Sequence, residues 1–219
     1  ILEVMTGNGI FPNEDTYNSI IKKLCTTFDE VDDILEVMTG NGIFPNEDTY
    51  NLIIGHLIGK PIEDQLRIIT SIINKTCKSL ADANMLLNQM KKYNIAPDKV
   101  TYNKIIKKSC TNLEEAKEIL EEMTGDRITP DNYTYNTIID KHCETPEEVD
   151  TYFKEMKTYK IAPDEVTYTS IINKGYITFE EAKGLLEEME KEKGIELNVM
   201  TYTSIINKCC TNLEEAKEI

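Results

Sequence analysis

Six cysteines and two histidines are the side chains of this sequence that could form a zinc site of the Cys/His type. Cys25, Cys77, Cys110 and Cys143 lie 52, 33 and 33 residues apart, and no CxxC pair occurs. Zinc sites are built from closely spaced Cys or His pairs, so this spacing argues against one. We expect no metal and no cofactor, and we expect buried thiols in a reducing compartment.

Adjacent glutamates recur along the chain, and paired carboxylates are one way to build an acid–base catalyst. Each pair falls on the polar side of a predicted helix, as in Glu114-Glu115. The sequence suggests no accompanying Ser/His/Asp or Cys/His set and contains no phosphate-binding glycine loop. The pattern is typical of a solvated helix face, and we expect no catalytic activity.

Hydrogen-bonding side chains recur at one fixed place, directly after a Thr-Tyr dipeptide or its equivalent. They are Asn18, Asn51, Thr70, Asn103, Asn136, Thr169 and Thr203. Asn and Thr are mediocre inside helices because their side chains compete for backbone hydrogen bonds. Their retention at one position in seven units favours a binding role, although recent duplication also produces such regularity.

The Thr-Tyr dipeptides mark an internal repeat. Successive tyrosines lie 33, 52, 33, 33 and 34 residues apart, and the long gap contains a degenerate copy at 68–75. Residues 1–18 recur unchanged at 34–51, which indicates tandem duplication. We expect the chain to be a single repeat array and a fragment of a longer one. Its units are 1–13 (partial), 14–46, 47–65 (truncated), 66–98, 99–131, 132–164, 165–198 and 199–219 (partial).

Each full unit predicts two helices, A and B. Helix A carries a Tyr and an Ile pair at helical spacing, as in Tyr102, Ile105 and Ile106. Helix B opens with a capping box and ends near a glycine such as Gly7, Gly40, Gly125 or Gly194. The boxes are Thr27…Glu30, Ser79…Asp82, Thr111…Glu114, Thr145…Glu148, Thr178…Glu181 and Thr211…Glu214. Stacked hairpins bury such stripes, so we expect an all-α, right-handed superhelical solenoid of helix-turn-helix repeats, with helices A lining one surface.

The units resemble the pentatricopeptide repeat. Residues 99–131 carry most of its pattern, namely Val100-Thr101-Tyr102-Asn103, Cys110, Glu114-Glu115-Ala116, Leu120-Glu121-Glu122-Met123 and Pro130-Asp131. The Trp/Leu/Gly/Tyr pattern of the tetratricopeptide repeat is missing. The link between helices A and B is shorter here than in the usual pentatricopeptide unit.

The resemblance implies binding of single-stranded RNA, one base per repeat, read by two side chains. The first reader follows Thr-Tyr on helix A, and the second is the last residue of the same unit. The implied pairs are Asn18 with Asn46, Thr70 with Asp98, Asn103 with Asp131, Asn136 with Asp164, and Thr169 with Asn198. Asn51 and Thr203 are first readers whose partners stay open. By the family's pairing habits, these pairs imply an RNA with the base order C, one unassigned base at the truncated unit, then G, U, U and A.

The resemblance also implies an apolar residue that packs on each base, just before the Thr of helix A. These residues are Val100, Tyr133, Val166 and Met200, whereas Asp15, Asp48 and Arg67 stand there in the first three units. We therefore expect base reading mainly within 99–210. Lys22 and Lys107 are the expected phosphate contacts, because each lies four residues after a first reader and so on the same helix face.

The second readers have a structural alternative. Each stands where helix A begins, and Asn and Asp are leading N-cap residues. The set is Asn13, Asn46, Asp98, Asp131, Asp164 and Asn198. Capping alone explains this pattern without RNA.

The charge is distributed unevenly between the helices. Seven ten-residue windows begin at the Thr of helix A or its equivalent. Together they contain nine lysines and one acid, Asp140, which gives them a net charge of +8. The whole chain carries −15, so the remainder carries −23, mostly on helix B. A basic A layer fits single-stranded RNA, whereas the acidic remainder fits a protein–protein scaffold or a structural subunit of a large assembly such as a mitochondrial ribonucleoprotein.

Other partners and the location follow from simpler features. We expect no small-molecule substrate and no membrane contact, since no apolar run approaches the roughly 18 residues of a membrane span. The resemblance implies a mitochondrial or plastid location, and no targeting segment is visible.

Overall fold

A computed structural model describes residues 2–191 and 198–219. Those residues form fourteen α-helices and no strand, so the all-α class is confirmed. The helices are α1 Leu2–Gly7, α2 Glu14–Leu24, α3 Phe28–Gly40, α4 Glu47–Gly55, α5 Ile62–Thr76, α6 Leu80–Lys92, α7 Lys99–Lys108, α8 Leu113–Gly125, α9 Asn132–His142, α10 Pro146–Thr158, α11 Glu165–Lys174, α12 Phe179–Lys191, α13 Val199–Lys208 and α14 Leu213–Glu218. No helix within the described ranges is long and apolar enough to cross a membrane.

The Thr-Tyr and Ile-Ile motifs form the core. Tyr102, Ile105 and Ile106 of α7 are fully buried, and so is Thr101. The same tyrosine is fully buried in α2, α4, α9 and α11. Burying one such side chain stabilises the fold by about 1.5–3 kcal/mol, so the repeated motif contributes to the packing of every unit that carries it.

The helices of type A begin at the predicted Asn and Asp caps. In each case the side chain accepts a hydrogen bond from the backbone N–H of the Thr three residues later. Helix α5 is the exception, because it begins after Pro61 without a side-chain cap. Its sequence from Ile68 onward is nevertheless of type A.

The helices of type B begin as predicted at four positions and one residue later at two. The boxes at Thr27, Ser79, Thr145 and Thr178 are confirmed by reciprocal hydrogen bonds. The boxes Thr111…Glu114 and Thr211…Glu214 are wrong. The caps there are Asn112 and Asn212, which accept from the N–H of Glu115 and Glu215, because Asn caps better than the preceding Thr. Gly7, Gly40 and Gly125 end their helices as expected, and Gly194 lies outside the described residues.

The chain divides into two compact units, Ile1–Thr111 and Asn112–Ile219, each described by itself. The second unit is a regular stack. Helices α9, α11 and α13 of type A lie side by side, while α10 packs on α9 and α12 packs on α11. Type A and type B helices therefore alternate along the chain and form two separate layers in this unit.

The first unit is not regular. Helix α4 packs against α2, as expected for two neighbours of type A, but its other neighbour is α6, which is of type B. Helix α5, of type A, packs between α3 of type B and α7 of type A. Hydrogen bonds from Gln89 to Glu47 and from Tyr93 to Asn51 show that α4 and α6 run parallel, as neighbours in one layer do.

The truncated unit explains this exchange. Residues 47–65 contain α4 and only the start of α5, so the type B helix that would separate them is missing. Successive helices still alternate between two layers, which places α2, α4 and α6 in one layer and α3, α5 and α7 in the other. The expectation that all helices of type A line one surface is therefore wrong for the first unit.

Candidate nucleic-acid interface

The pair Asn136 and Asp164 is in direct contact. Asn136 on α9 donates a hydrogen bond from Nδ2 to Oδ1 of Asp164, the cap of α11, over 3.0 Å. Asn136 is only 7% exposed, and its Oδ1 is buried without a partner among the described residues. The structure thus leaves one hydrogen-bond acceptor of this pair unused.

Asp164, a predicted second reader, accepts several hydrogen bonds. It accepts from the backbone N–H of Thr167 at 2.8 Å, and from the side-chain amides of Asn132 at 3.1 Å and Asn136. Burial pushes the pKa of this carboxyl upward, but the hydrogen bonds that favour its charged form outweigh burial and hold the pKa below its usual value.

Asn18 and Asn46 are joined through a third side chain. The hydroxyl of Thr49 lies 2.7 Å from Oδ1 of Asn18 and 2.9 Å from Oδ1 of Asn46. Thr49 is fully buried and belongs to the same Thr-Tyr motif that forms the core. This pair is thus held by helix packing between α2 and α4.

Two further predicted pairs stand on neighbouring helices of type A. Thr70 is half-buried on α5 and Asp98 caps α7, which packs beside α5. Thr169 is half-buried on α11, while Asn198 caps α13 and donates from Nδ2 to Glu165. Asn103 belongs to the first unit and Asp131 to the second. Thr203 on α13 is exposed.

Asn51 has partners that distinguish it from the other first readers. Its Oδ1 accepts from the hydroxyl of Tyr93 at 2.6 Å and from Nζ of Lys92 at 3.2 Å, both at the end of α6. Sequence reasoning missed this contact because the two residues stand more than one repeat period after Asn51. Asn51 therefore fixes α4 against α6.

The four predicted base-packing residues share one property, which is exposure of a large apolar side chain. Val100 is 51%, Tyr133 47%, Val166 58% and Met200 70% exposed. Tyr133 and Val166 stand on α9 and α11, neighbouring helices of type A. Exposed apolar side chains repeated at this spacing are surfaces on which flat bases can stack.

A family model for the pentatricopeptide repeat domain matches residues 67–110, 85–144 and 184–219, which together exceed half of the chain. The chain belongs to the pentatricopeptide repeat family. The matches begin at Arg67 in α5, so the two type A helices before it lie outside them. No curated protein sequence matches the chain.

Solved structures show the same fold. The crystal structure of the pentatricopeptide repeat protein PPR10 in complex with an 18-nt psaJ RNA element is 19% identical, with a TM-score of 0.51 over 93% of this chain and 37% of that one. A triple cysteine-to-serine variant of PPR10 with the same RNA element gives the same values. PPR10 from maize is 21% identical over 94% of this chain, with a TM-score of 0.42. The chain therefore spans little more than a third of the length of PPR10.

The two predicted phosphate contacts of this pentatricopeptide array are exposed but lie in different layers. Lys22 stands on α2 and Lys107 on α7. Because α2 and α7 belong to opposite layers of the first unit, one strand that follows a single layer cannot contact both.

Several other lysines are engaged in structural contacts. Nζ of Lys174 donates to the carbonyl oxygen of Cys143 at 2.8 Å, where the preceding type A helix ends and its dipole is negative. His56 makes the equivalent contact with the carbonyl oxygen of Cys25 at 3.2 Å. Lys78 lies 4.3 Å from the ring centre of Phe44. These side chains contribute to packing, which lowers the charge available to a ligand.

The cysteines behave as core residues. All six lie in the described ranges and form no disulfide, and five of them are buried. Burial, followed by the nearby Glu148 carboxylate, raises the pKa of Cys143 to about 12, and burial raises that of Cys77 to about 11. No His, Cys, Asp or Glu cluster that could hold a metal ion occurs among the described residues.

Proposed function

We propose that this chain is a single-stranded RNA-binding module that reads one base per repeat and carries out no catalysis of its own. Its family supports this, and PPR10, which shares the fold, has been solved in complex with an RNA element. The observation that carries the proposal is the contact between Asn136 and Asp164, together with the exposed apolar residues on the same helices.

The geometry suggests how one base is held. A base that packs between Tyr133 and Val166 would place its hydrogen-bonding edge over Asn136, whose Oδ1 has no partner but is enclosed and must become accessible on binding to accept from a base N–H. Asp164 orients the amide by accepting from its Nδ2. Stacking of a base on such side chains contributes about 1–3 kcal/mol, and the amide adds selectivity. Uracil, whose N3–H is a donor, could supply the hydrogen bond that Oδ1 of Asn136 lacks.

A binding assay tests the proposal. A labelled RNA with the order C-N-G-U-U-A should bind more tightly than a scrambled RNA, and its affinity should fall as salt rises. Asn136→Ala should weaken binding by roughly tenfold and relax the choice at the second U only. Asn173→Ala, at an exposed position of α11, is the matched control and should change little. Equally weak binding of both RNAs would reject the proposal.

A protein scaffold is the alternative. It is favoured by the absence of a continuous basic track in the first unit, where Lys22 and Lys107 lie in opposite layers. In that case the exposed apolar residues would contact a peptide or helix of a partner in a large assembly. Failure to bind any RNA, with the side chains of Tyr133 and Val166 less accessible to hydroxyl-radical labelling in the native assembly, would favour it. For either function we propose a mitochondrial or plastid location, as the family resemblance implies.

A further inference from the structure

The exchange of layers in the first unit changes which helices can lie next to one another along a bound strand. In that unit the type A helices α5 and α7 share a layer with α3, and not with α2 and α4. A strand that leaves α7 and crosses α5 therefore meets α3 next.

Helix α3 is chemically unsuited to RNA. Its thirteen residues contain five acids and no Lys or Arg. Two of the acids hold the nearest lysine of α5, because Nζ of Lys75 lies 2.6 Å from Asp32 Oδ2 and 3.3 Å from Glu36 Oε2. Asp32 also accepts from the hydroxyl of Ser71, the residue after the first reader Thr70. The negative charge of α3 repels the phosphates of RNA, and the ion pairs make the ammonium group of Lys75 unavailable for a phosphate contact.

The layer that contains α2 and α4 lacks the features of a reading surface. Asn51 already accepts hydrogen bonds from Tyr93 and Lys92. The base-packing place is taken by Asp15 and Asp48, which are both exposed. The family match also starts only at residue 67.

We propose that the RNA track of the first unit begins at α5 and that the acidic helix α3 ends it, so that Asn18, Asn46 and Asn51 do not read bases. The proposal rests on the RNA-binding function above. Asn51 is a positioning residue that holds α4 against α6, and the first base selected is the one at Thr70 and Asp98.

Exchange of Asn and Asp at two of the positions that the sequence predicts as second readers, Asn46 and Asp98, tests this directly. Both residues cap a helix, and either side chain keeps the cap. By the family's pairing habits, Asp98→Asn should change the preferred third base of C-N-G-U-U-A from G to A, by roughly tenfold in affinity. Asn46→Asp should leave the preference at the first base unchanged within about twofold.

The outcomes separate this proposal from the general function. A change of the first base preference from C to U in Asn46→Asp would overturn the proposal while leaving RNA binding intact. No binding of any RNA by the unaltered chain would reject the function and the track together. Circular dichroism of both variants should match that of the unaltered chain, and the intact base preferences downstream report folding in the same assay.

A second measurement tests the role of α3. Asp32→Asn with Glu36→Gln should release Lys75, raise RNA affinity several-fold at low salt, and steepen the salt dependence by about one phosphate contact. Asp29→Asn with Asp33→Asn removes the same charge at exposed positions of α3 and is the matched control. Equal effects of the two double variants would show that only total charge matters and would overturn the assignment to Lys75.

Discussion

At the scale of single residues, the predicted second readers are helix caps. Oδ1 of Asp164 accepts from the backbone N–H of Thr167 and from the amide of Asn136. A side chain with both roles contributes to folding before any RNA binds. Substitutions that keep the cap are therefore needed to separate stability from recognition.

Replacement of Asp164 should show this double role. Asp164→Ala removes a cap, which costs about 1 kcal/mol, and also removes the partner of Asn132 and Asn136. We expect a loss of roughly 2 kcal/mol in the free energy of unfolding, measured by urea denaturation. Asp164→Asn keeps a capping oxygen and should lose less than about 1 kcal/mol. Equal losses would contradict the capping role.

The pKa of Asp164 predicts a pH dependence. Its hydrogen bonds hold the folded-state pKa below the unfolded value of about 3.9. A depressed folded pKa means that the charged carboxylate stabilises the fold above pH about 4 and that this contribution is lost as pH falls through the folded pKa. The difference in unfolding free energy between the unaltered chain and Asp164→Asn should therefore shrink below pH 4. A difference that stays constant from pH 7 to pH 2 would contradict it.

At the scale of elements, helix α12 has an unusual glycine. Gly184 lies in the helix interior, beside an apolar groove of about 370 Å³ lined by Val149, Phe153 and Leu185. A Cβ at Gly184 would meet no atom within 4 Å. The glycine is thus not required by packing, and it weakens the helix because glycine loses more backbone freedom on folding than alanine.

Two glycine substitutions should have opposite signs. Gly184→Ala should stabilise the chain by about 0.5–1 kcal/mol, since alanine favours the helix and the space is open. Gly175→Ala should destabilise it by about 1 kcal/mol or more, because Gly175 has a φ of +68°, which strains an L side chain. Thermal unfolding of both variants measures the two effects. Destabilisation by Gly184→Ala would mean that the groove is filled in the native state.

At the scale of the whole molecule, the number of helices decides which surface a repeat joins. One missing type B helix moves every later helix of the first unit into the opposite layer. The local packing of these helices is unaffected, because α5 and α7 keep the buried Ile pairs of type A. Truncation of a repeat therefore acts on the surface pattern and leaves each hairpin intact.

Restoring the missing helix should lengthen the RNA track. Replacement of residues 59–65 by a copy of residues 26–46 gives the truncated unit a helix B and a length of 33 residues. Helix α5 should then join the layer of α2 and α4, and nuclease protection of bound RNA should extend by about two nucleotides at one base per repeat. Asn46→Asp should now alter the choice of base. The same insert with prolines in place of Val31 and Leu35 of the copied helix is the control. An unchanged footprint would show that layer exchange does not limit the track.

Most of the local structure follows from the sequence alone. Three features depend only on residues within one or two helical turns of each other. They are the spacing of Tyr and Ile, the Asn and Asp caps of the type A helices such as Asn13 and Asn198, and the capping boxes at Thr27 and Thr145. Such short-range interactions are encoded in the sequence directly, because helical periodicity and capping need no distant partner. At Asn112 and Asn212 the helix cap lies one residue after the position that the sequence predicted.

The layer of each helix was decided only by the tertiary structure. Nothing in the type A sequence of α5 indicates that it packs on α3, because that position depends on how many helices precede it. The contacts that fix it, from Lys75 to Asp32 and from Tyr93 to Asn51, join residues 43 and 42 positions apart. Whether a repeated Asn pairs with the next cap, as Asn136 does, or locks two helices, as Asn51 does, follows from that packing.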